Sequence, residues 1–259
     1  MPVGTGKTVI GTLVALSHDG VEHYIVLVLP ILVAQWVEWL NSVGNSGKAV
    51  AYEGGPKKRK DIDLPKFRWW VMSYGIFRND FAKLVALLKD KEHLTLFDEQ
   101  HNIKNSASKT FQLVYQLTSG HKFIGMTGTE LNNPIDAYAY IKMKTPTIYS
   151  NKAHFERVHV ATYDFFEQPE EWTGLDLMNA NLYLQSFKRT KAQISRDKPN
   201  IYPVTYHLHP EHKALYDQVI EEQLVELEEQ GKLIDASTPQ LLYNISQQLV
   251  MNWAHFSGR

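Results

Sequence analysis

The residues with the clearest chemical potential form the string GTGKT at positions 4–8. Glycines let backbone N–H groups turn inward around phosphate oxygens, a lysine reaches the terminal phosphates, and a threonine hydroxyl can bind Mg²⁺. A helical pattern follows at once over residues 7–17, and the positive end of a helix favours an anion. The string departs from the full phosphate-loop pattern at Met1, where a glycine is usual. It predicts a phosphate site formed by Gly4, Thr5, Gly6, Lys7 and Thr8, with Thr8 also bound to the metal.

A second string, Asp98-Glu99-Gln100-His101, directly follows an apolar run. Phosphoryl transfer from ATP needs a carboxylate that holds Mg²⁺ and a group that orients the attacking water. Asp98 suits the first role and Glu99 the second. An acidic pair after a strand is by itself usually a solvated turn. Together with the phosphate loop, it indicates a site for Mg²⁺ and ATP.

The elements that must position these strings are visible as apolar and helical patterns. Nearly continuous runs of Val, Ile, Leu, Phe and Trp predict strands buried on both faces at 23–30, 68–75, 93–100 and 121–129. Helical patterns separate them at 7–17, 31–42, 76–89 and 107–118. This alternation predicts an α/β fold with a parallel sheet and helices on both faces. The polar strings then lie at the carboxyl ends of the strands, where such folds bind ligands.

The pattern changes after residue 149, where no clear period continues. A strand is predicted at 202–209, a long amphipathic helix at 212–230 with Gly231 as its stop, and a last helix at 239–253. We therefore predict two domains. Residues 1–149 form an ATP-binding lobe, and residues 150–259 form a mixed and helical extension.

Composition limits the classes of function. The chain has 27 basic and 28 acidic residues, so nucleic-acid binding by bulk positive charge is disfavoured. It contains no cysteine, which excludes disulfides and thiolate metal sites. No apolar stretch approaches the roughly 20 residues of a membrane span, so no membrane partner is expected.

Two further features allow structural and functional interpretations. The basic string at 56–60 favours a solvated helix start, with contact to a DNA backbone as the alternative. The tryptophan pairs Trp36/Trp39 and Trp69/Trp70 lie within predicted core elements, which favours packing over base stacking.

The strings, taken in order, resemble the first lobe of superfamily 2 helicases. The resemblance is to the SWI/SNF-type branch of DNA translocases and its phage relatives. LPILVAQWVEWL at 29–40 is similar to its P-x-x-x-x-Q-W segment, and SYG at 73–75 to its next motif. DEQHNIKN at 98–105 resembles the DEAH-x-IKN string, with Gln100 in place of alanine. MTGTELNNPIDAY at 126–138 and FKRTKAQI at 187–194 resemble its later segments.

This resemblance implies a RecA-like sheet and assigns roles. ATP and Mg²⁺ would be held by Lys7, Thr8, Asp98 and Glu99. Movement of the lobes would be coupled to nucleotide state by Gln100, His101, Thr127, Gly128 and Thr129. One nucleic-acid strand would lie near Pro30, Gln35, Ser73 and Tyr74.

The function implied for the intact protein is an ATP-dependent translocase or helicase acting on nucleic acid, with double-stranded DNA as the expected partner. The alternative is a non-catalytic nucleic-acid- or partner-binding module that retains the nucleotide pocket. The expected location is the cytoplasm of a bacterial or phage-infected cell, with a nuclear location left open.

The resemblance also implies parts that this sequence does not contain. A second RecA-like lobe, from the same gene or a partner, would supply an arginine to the γ-phosphate. A strand would deliver the chain into the phosphate loop, and we expect it beside the strand that carries Asp98. The isolated chain is therefore predicted to bind ATP, to hydrolyse it slowly and to be marginally stable.

Overall fold

The computed structural model describes residues 6–43, 47–128, 131, 133–188, 207–222, 224–227, 232–235 and 239–251. The strands are β1 (His23–Val28), β2 (Ala49–Ala51), β3 (Trp69–Ser73), β4 (His93–Asp98), β5 (Lys122–Met126), β6 (Val160–Tyr163), β7 (Pro169–Trp172), β8 (Leu224–Leu227) and β9 (Lys232–Asp235). The helices are α1 (Lys7–Leu16), α2 (Val33–Ser42), α3 (Pro56–Lys60), α4 (Tyr74–Leu88), α5 (Lys109–Thr118), α6 (Ala137–Lys144), α7 (Lys152–His159), α8 (Leu175–Tyr183), α9 (Pro210–Glu222) and α10 (Pro239–Met251). In the part of the chain so described, no helix combines the length and apolarity needed to cross a bilayer.

A five-stranded sheet in the order β2-β3-β1-β4-β5 forms the centre of the first unit. All four strand pairings are parallel, which confirms the predicted α/β fold. Every residue of β1, β3 and β4 is buried, as their continuous apolar runs predict for strands covered on both faces.

Successive side chains of each strand point to opposite faces, so the sheet separates two cores. On one face, Leu27 and Phe97 pack with residues of α4 and α5 such as Leu84. On the other, Val26 and Leu96 pack with α1 and α2, including Trp36, Ala15, Val33 and Leu40. The helices that follow the two chemical strings are thus fixed to the same sheet.

The edge strand β5 differs from its neighbours because Lys122 and Gly125 are exposed. The sequence predicts that the strand before the phosphate loop lies beside β4, which carries Asp98. That position is wrong, because β4 already pairs with β1 on one side and β5 on the other. Among the described strands, β5 is the last one at this end of the sheet.

Two short elements, β2 and α3, lie between α2 and β3. The basic string at 56–60 does start a helix, but its Arg59 is buried. The Arg59 guanidinium forms two bonds with Asp80 of α4, at 2.7 Å from Nε and 2.9 Å from Nη2. One residue of the predicted solvated string therefore serves the core. Trp69 and Trp70 are fully buried, which confirms the packing interpretation for that pair.

Residues after β5 build a third core. Tyr138, Ile141, Tyr149, Phe155 and Met178 pack together from α6, α7 and α8 and the loop between α6 and α7. The antiparallel hairpin of β6 and β7 follows α7. The chain separates into two compact units at 1–198 and 199–259, and the domain boundary predicted at residue 149 stays a prediction.

The second unit contains α9, α10 and the antiparallel pair of β8 and β9. Val219, Ile234 and Leu249 form its core, and the His212 ring is hydrogen-bonded to the Leu249 carbonyl. The helix predicted over 212–230 is wrong in its second half, because α9 ends at Glu222 and 224–227 is a strand. Paired backbone groups in the hairpin replace the expected helical bonds. Of the strand predicted at 202–209, residues 202–206 lie outside the described residues and 207–209 are not a strand.

Candidate nucleotide site

The register of the sheet places the carboxyl ends of the central strands side by side. Val28 is opposite Ser73, Leu27 is opposite Phe97, and Asp98 is opposite Met126. Because parallel strands end at one edge, the residues that follow them share a surface. The predicted site residues at the ends of β3, β4 and β5 are brought together in this way.

The described part of the phosphate loop begins at Gly6, in the left-handed conformation with φ 76°. Glycine adopts this conformation without the steric cost that a Cβ would add. Helix α1 starts at the next residue, Lys7, and Ile10 N–H donates to the Gly6 carbonyl. Lys7 and Thr8 thus occupy the first turn, and the positive N-terminal end of a helix favours an anion. Gly4 and Thr5 lie outside the described residues.

Glu99 connects the two chemical strings. Its backbone is left-handed with φ 52°, an uncommon conformation for a residue with a side chain. One carboxylate oxygen lies 3.9 Å from Lys7 Nζ, and the other lies 3.2 Å from His101 Nδ1. The lysine of GTGKT and the acids of DEQH, distant in sequence, therefore lie at one place.

Asp98 ends β4 and is 7% exposed. Its Oδ2 accepts a 2.9 Å hydrogen bond from the indole N–H of Trp36, and its Oδ1 accepts a 3.1 Å bond from the backbone N–H of Glu99. Its backbone carbonyl accepts a 2.8 Å bond from the Tyr74 hydroxyl. Asp98 is thus held by α2, by α4 and by its own chain.

Two short segments meet where β4 and β5 end: Gln100 and His101 follow β4, and Thr127 follows β5. Thr127 Oγ1 is 3.5 Å from His101 Nδ1, so the histidine that contacts Glu99 also contacts the residue after β5. The Gln100 side chain lies over Gly125, where an added Cβ would stand 2.0 Å from Gln100 Oε1. Gly128 is half-buried, and Thr129 lies outside the described residues.

The candidate nucleic-acid residues divide into two pairs. Pro30 begins the 3-10 turn before α2, Gln35 lies in the first turn of α2, and both are exposed. Ser73 is buried, and its hydroxyl caps α4 by accepting from Ile76 N–H. Tyr74 is half-buried, and burial together with the charges of Asp98 and Glu99 raises the pKa of its hydroxyl well above the ordinary value. Ser73 and Tyr74 therefore have structural bonds of their own, and their contact with nucleic acid stays a prediction.

A cavity of about 560 Å³ extends along β5 from this site. Lys7, Gln100 and Thr127 line one end of it, and α1 contributes Ile10 and Val14. This volume is within the range of small-molecule sites.

Sequence reasoning missed the bond from Trp36 to Asp98. It assigned Trp36 to packing, which its burial confirms, but the direction of the indole N–H has no signal in a helical pattern. The bond of Tyr74 to Asp98 was missed for the same reason, because the partners come from different elements. A buried residue with a polar tip was the available signal, since such tips need partners.

The residues present fit a Mg²⁺-bound nucleotide. Oxygen ligands from Asp98 and Thr8 are the type that Mg²⁺ prefers. At Gly6 an added Cβ would meet no atom of the described residues within 4 Å, which suits the close approach of a phosphate to the backbone. Lys7 supplies a cation beside them.

Comparison with known families gives a consistent result. Residues 3–255 match the SNF2-related domain, and the chain belongs to that family. It is 31% identical over 130 residues to the TATA-binding protein-associated factor MOT1 of Saccharomyces cerevisiae, a match that covers 49% of this chain and 7% of that protein. It is 30% identical over 142 residues to the DNA repair protein RAD5 of Candida albicans, covering 50% of this chain and 13% of that protein.

A longer match is to the helicase swr1 of Schizosaccharomyces pombe, 25% identical over 245 residues, which covers 84% of this chain and 19% of that protein. The chain thus spans under a fifth of the length of each of these relatives. All three are from yeasts, so the expected bacterial or phage source has no support among them.

The solved structure of the Sulfolobus solfataricus SWI2/SNF2 ATPase core in complex with dsDNA has the same fold. The TM-score is 0.59 at 19% identity, and the match covers 100% of this chain and 54% of that chain. The fold similarity confirms the RecA-like sheet that the sequence motifs predict.

Proposed function

We propose that this chain binds Mg²⁺ and ATP and forms the nucleotide-binding lobe of a motor that moves along double-stranded DNA. The observation that supports this most is the 3.9 Å approach of Lys7 Nζ to Glu99 Oε1. It joins the phosphate-binding string to the acidic string, and neither alone is sufficient for ATP chemistry.

Each residue has a chemical task in this proposal. Lys7 holds the terminal phosphates, and the Thr8 hydroxyl and the Asp98 carboxylate hold Mg²⁺, which when bound neutralises phosphate charge. Glu99 orients the attacking water through its carboxylate. Its present contacts with Lys7 and His101 would then be exchanged for contacts with the water.

Coupling is assigned to the residues between β4 and β5. His101 contacts both Glu99 and Thr127. A shift of Glu99 on hydrolysis would therefore change the contacts of the chain after β5. The segment that follows β4 also contains Gln100, and the segment that follows β5 also contains Gly128 and Thr129. These contacts are the proposed route of the coupling. The coupling also requires that the segment after β5 adopts two states.

Double-stranded DNA is proposed as the track because of the relatives. RAD5 is named as a DNA repair protein and swr1 as a helicase, and the solved structure is a complex with dsDNA. The proposed contacts of this lobe with the DNA backbone are the exposed Pro30 and Gln35, together with Ser73 and Tyr74. With a net charge of −1, binding should be weak, fall steeply with salt and show little sequence preference.

Full turnover is proposed to need a second lobe. An arginine in the transition state contributes about 10³ to 10⁵ in rate in related phosphoryl-transfer enzymes. The described cations that line the cavity beside the site are lysines, Lys7, Lys122 and Lys144. We expect slow hydrolysis by residues 1–259 alone and faster hydrolysis when a second RecA-like lobe is supplied.

The test compares Lys7→Ala with Lys109→Ala, which removes an exposed lysine from the start of α5. Binding of a fluorescent ATP analogue should be lost in the first variant and kept in the second. Equal binding by both variants would refute the site. The non-catalytic alternative predicts the same binding but no hydrolysis when the second lobe is present, so turnover of that assembly separates the two functions.

A further inference from the structure

Trp36 and Asp98 form a polar contact inside the core. Trp36 is 2% exposed and lies on α2, and Asp98 is 7% exposed at the end of β4. The 2.9 Å bond from indole Nε1 to carboxylate Oδ2 joins a helix on one face of the sheet to the strand that carries the acidic string. The ring also packs with Val33 and Leu40, which its position in an apolar stripe already predicts.

The second carboxylate oxygen has its own donor, the backbone N–H of Glu99 at 3.1 Å. Rotation of a carboxylate about its terminal torsion is soft, so an unbonded group would sample many orientations. One donor on each oxygen fixes the plane of the Asp98 carboxylate. The two oxygens together have about four acceptor positions, and these two bonds leave others for a metal.

We infer that Trp36 is a positioning residue, whose indole N–H holds the Asp98 carboxylate in the orientation that binds Mg²⁺. This inference rests on the proposed function, in which Asp98 is a metal ligand. Residues that hydrogen-bond to a metal ligand set its orientation and its basicity. Phenylalanine would fill most of the same space but could not donate, so the donor and the packing can be separated.

The chain supplies a matched control in Trp70. Trp70 is also fully buried, and its indole N–H donates a 2.9 Å bond to the Phe67 carbonyl. Replacement of either tryptophan by phenylalanine removes one buried hydrogen bond and part of one ring. Of these two, Trp36 is the one bonded to Asp98. Both substitutions therefore disturb the core, and we expect only Trp36→Phe to change Mg²⁺ binding.

The experiment measures the Mg²⁺ concentration at half-maximal binding of a fluorescent ATP analogue by the full chain. Trp36→Phe should raise this midpoint about tenfold, and Trp70→Phe should leave it within about twofold of the wild-type value. Binding of the analogue without Mg²⁺ should be equal in both variants. In an Asp98→Asn background, Trp36→Phe should have no further effect, because it acts through Asp98.

A second readout uses the six indole N–H resonances of the wild-type chain. The resonance of Trp36 should shift on addition of Mg²⁺ with the analogue, and that of Trp70 should not. This measurement needs no substitution, so it decides the matter if Trp36→Phe fails to fold.

The outcomes separate this inference from the function on which it rests. If Asp98→Asn leaves the Mg²⁺ dependence unchanged, the proposed metal site is wrong. If Asp98→Asn removes that dependence but Trp36→Phe behaves like Trp70→Phe, or the Trp36 resonance does not respond, Trp36 is a packing residue and the inference is overturned.

Discussion

Two clusters of the first unit each combine an aspartate with a tyrosine, but they satisfy the aspartate differently. Asp80 receives two bonds from the Arg59 guanidinium and a 2.7 Å bond from the Tyr52 hydroxyl. Asp98 receives the described bonds of its carboxylate from two neutral donors, an indole and a backbone N–H. Its tyrosine, Tyr74, bonds to its backbone carbonyl instead.

The difference teaches how a buried acid can be used. A bidentate guanidinium occupies the oxygens of Asp80 and offsets its charge, and this contact lowers the pKa of Asp80. Burial and Asp80 together raise the pKa of Tyr52 to about 12. In that cluster both carboxylate oxygens of Asp80 accept hydrogen bonds, and the bonds from Arg59 connect α3 to α4. The described donors on Asp98 add no positive charge, so the charge of its carboxylate is available to the Mg²⁺ that we propose it binds.

The largest expected effect is on nucleotide binding. Asp98→Asn should weaken the Mg²⁺-dependent affinity for an ATP analogue at least about 100-fold, because it removes the proposed charged ligand. Asp80→Asn should leave this affinity unchanged in folded protein. Fluorescence titrations of both variants at saturating Mg²⁺ make the measurement. Similar losses in both would mean that the two clusters do not differ in function.

Stability should show the reverse order. Asp80→Asn should lower the free energy of unfolding by about 2–3 kcal/mol, since it leaves the buried Arg59 with a weaker partner. Asp98→Asn should cost less, about 1–2 kcal/mol, because the donors to Asp98 are neutral and the amide oxygen still accepts from one of the two. Urea unfolding of both variants at neutral pH gives the comparison. A larger cost for Asp98→Asn would contradict a structural role for Asp80 and a ligand role for Asp98.

Acid should reduce the advantage of the wild-type chain over Asp80→Asn. The folded-state pKa of Asp80 is depressed below its ordinary value of 3.8. Its ion pair therefore contributes fully above the unfolded-state pKa, and this contribution is lost as the pH falls through the lower folded-state pKa. The difference between the urea midpoints of the two proteins should be constant from about pH 7 to about pH 5 and shrink below about pH 4. A difference that grows in acid would have the wrong sign.

The smallest effects are expected for the two tyrosines. Tyr74→Phe removes one described hydrogen bond, and Tyr52→Phe removes two, the bond donated to Asp80 and the bond accepted from Lys83. Each substitution should cost about 1 kcal/mol in unfolding free energy. Only Tyr74→Phe should also raise the Mg²⁺ midpoint for the ATP analogue, by roughly twofold, because Tyr74 bonds to the Asp98 carbonyl. The same shift in Tyr52→Phe would break the comparison between the clusters.

Much of the central fold was predictable because its signals are local. Strands β1, β3 and β4 are continuous apolar runs, and the helices between them begin close to the predicted positions. The order of strands and the position of β5 at an edge were not predictable. They depend on pairing between segments far apart in the chain, and the apolar run of β5 resembles those of the central strands.

The extension was predicted less well, and α9 shows why. Its apolar stripe continues past Glu222 in the sequence, but the chain forms a hairpin at 224–227 and 232–235. Helical periodicity in a short segment is a weak preference, and pairing with a second segment overrides it.

The sequence by itself determined the candidate residues for binding Mg²⁺ and ATP, because GTGKT and DEQH are runs of adjacent residues whose chemistry can be inferred directly. Only the tertiary structure decided that Lys7 approaches Glu99, and that Trp36 donates to Asp98 while Arg59 pairs with Asp80. These contacts join residues from separate helices and strands. The direction of a side chain across a core is set by the packing of whole elements, and no local pattern records it.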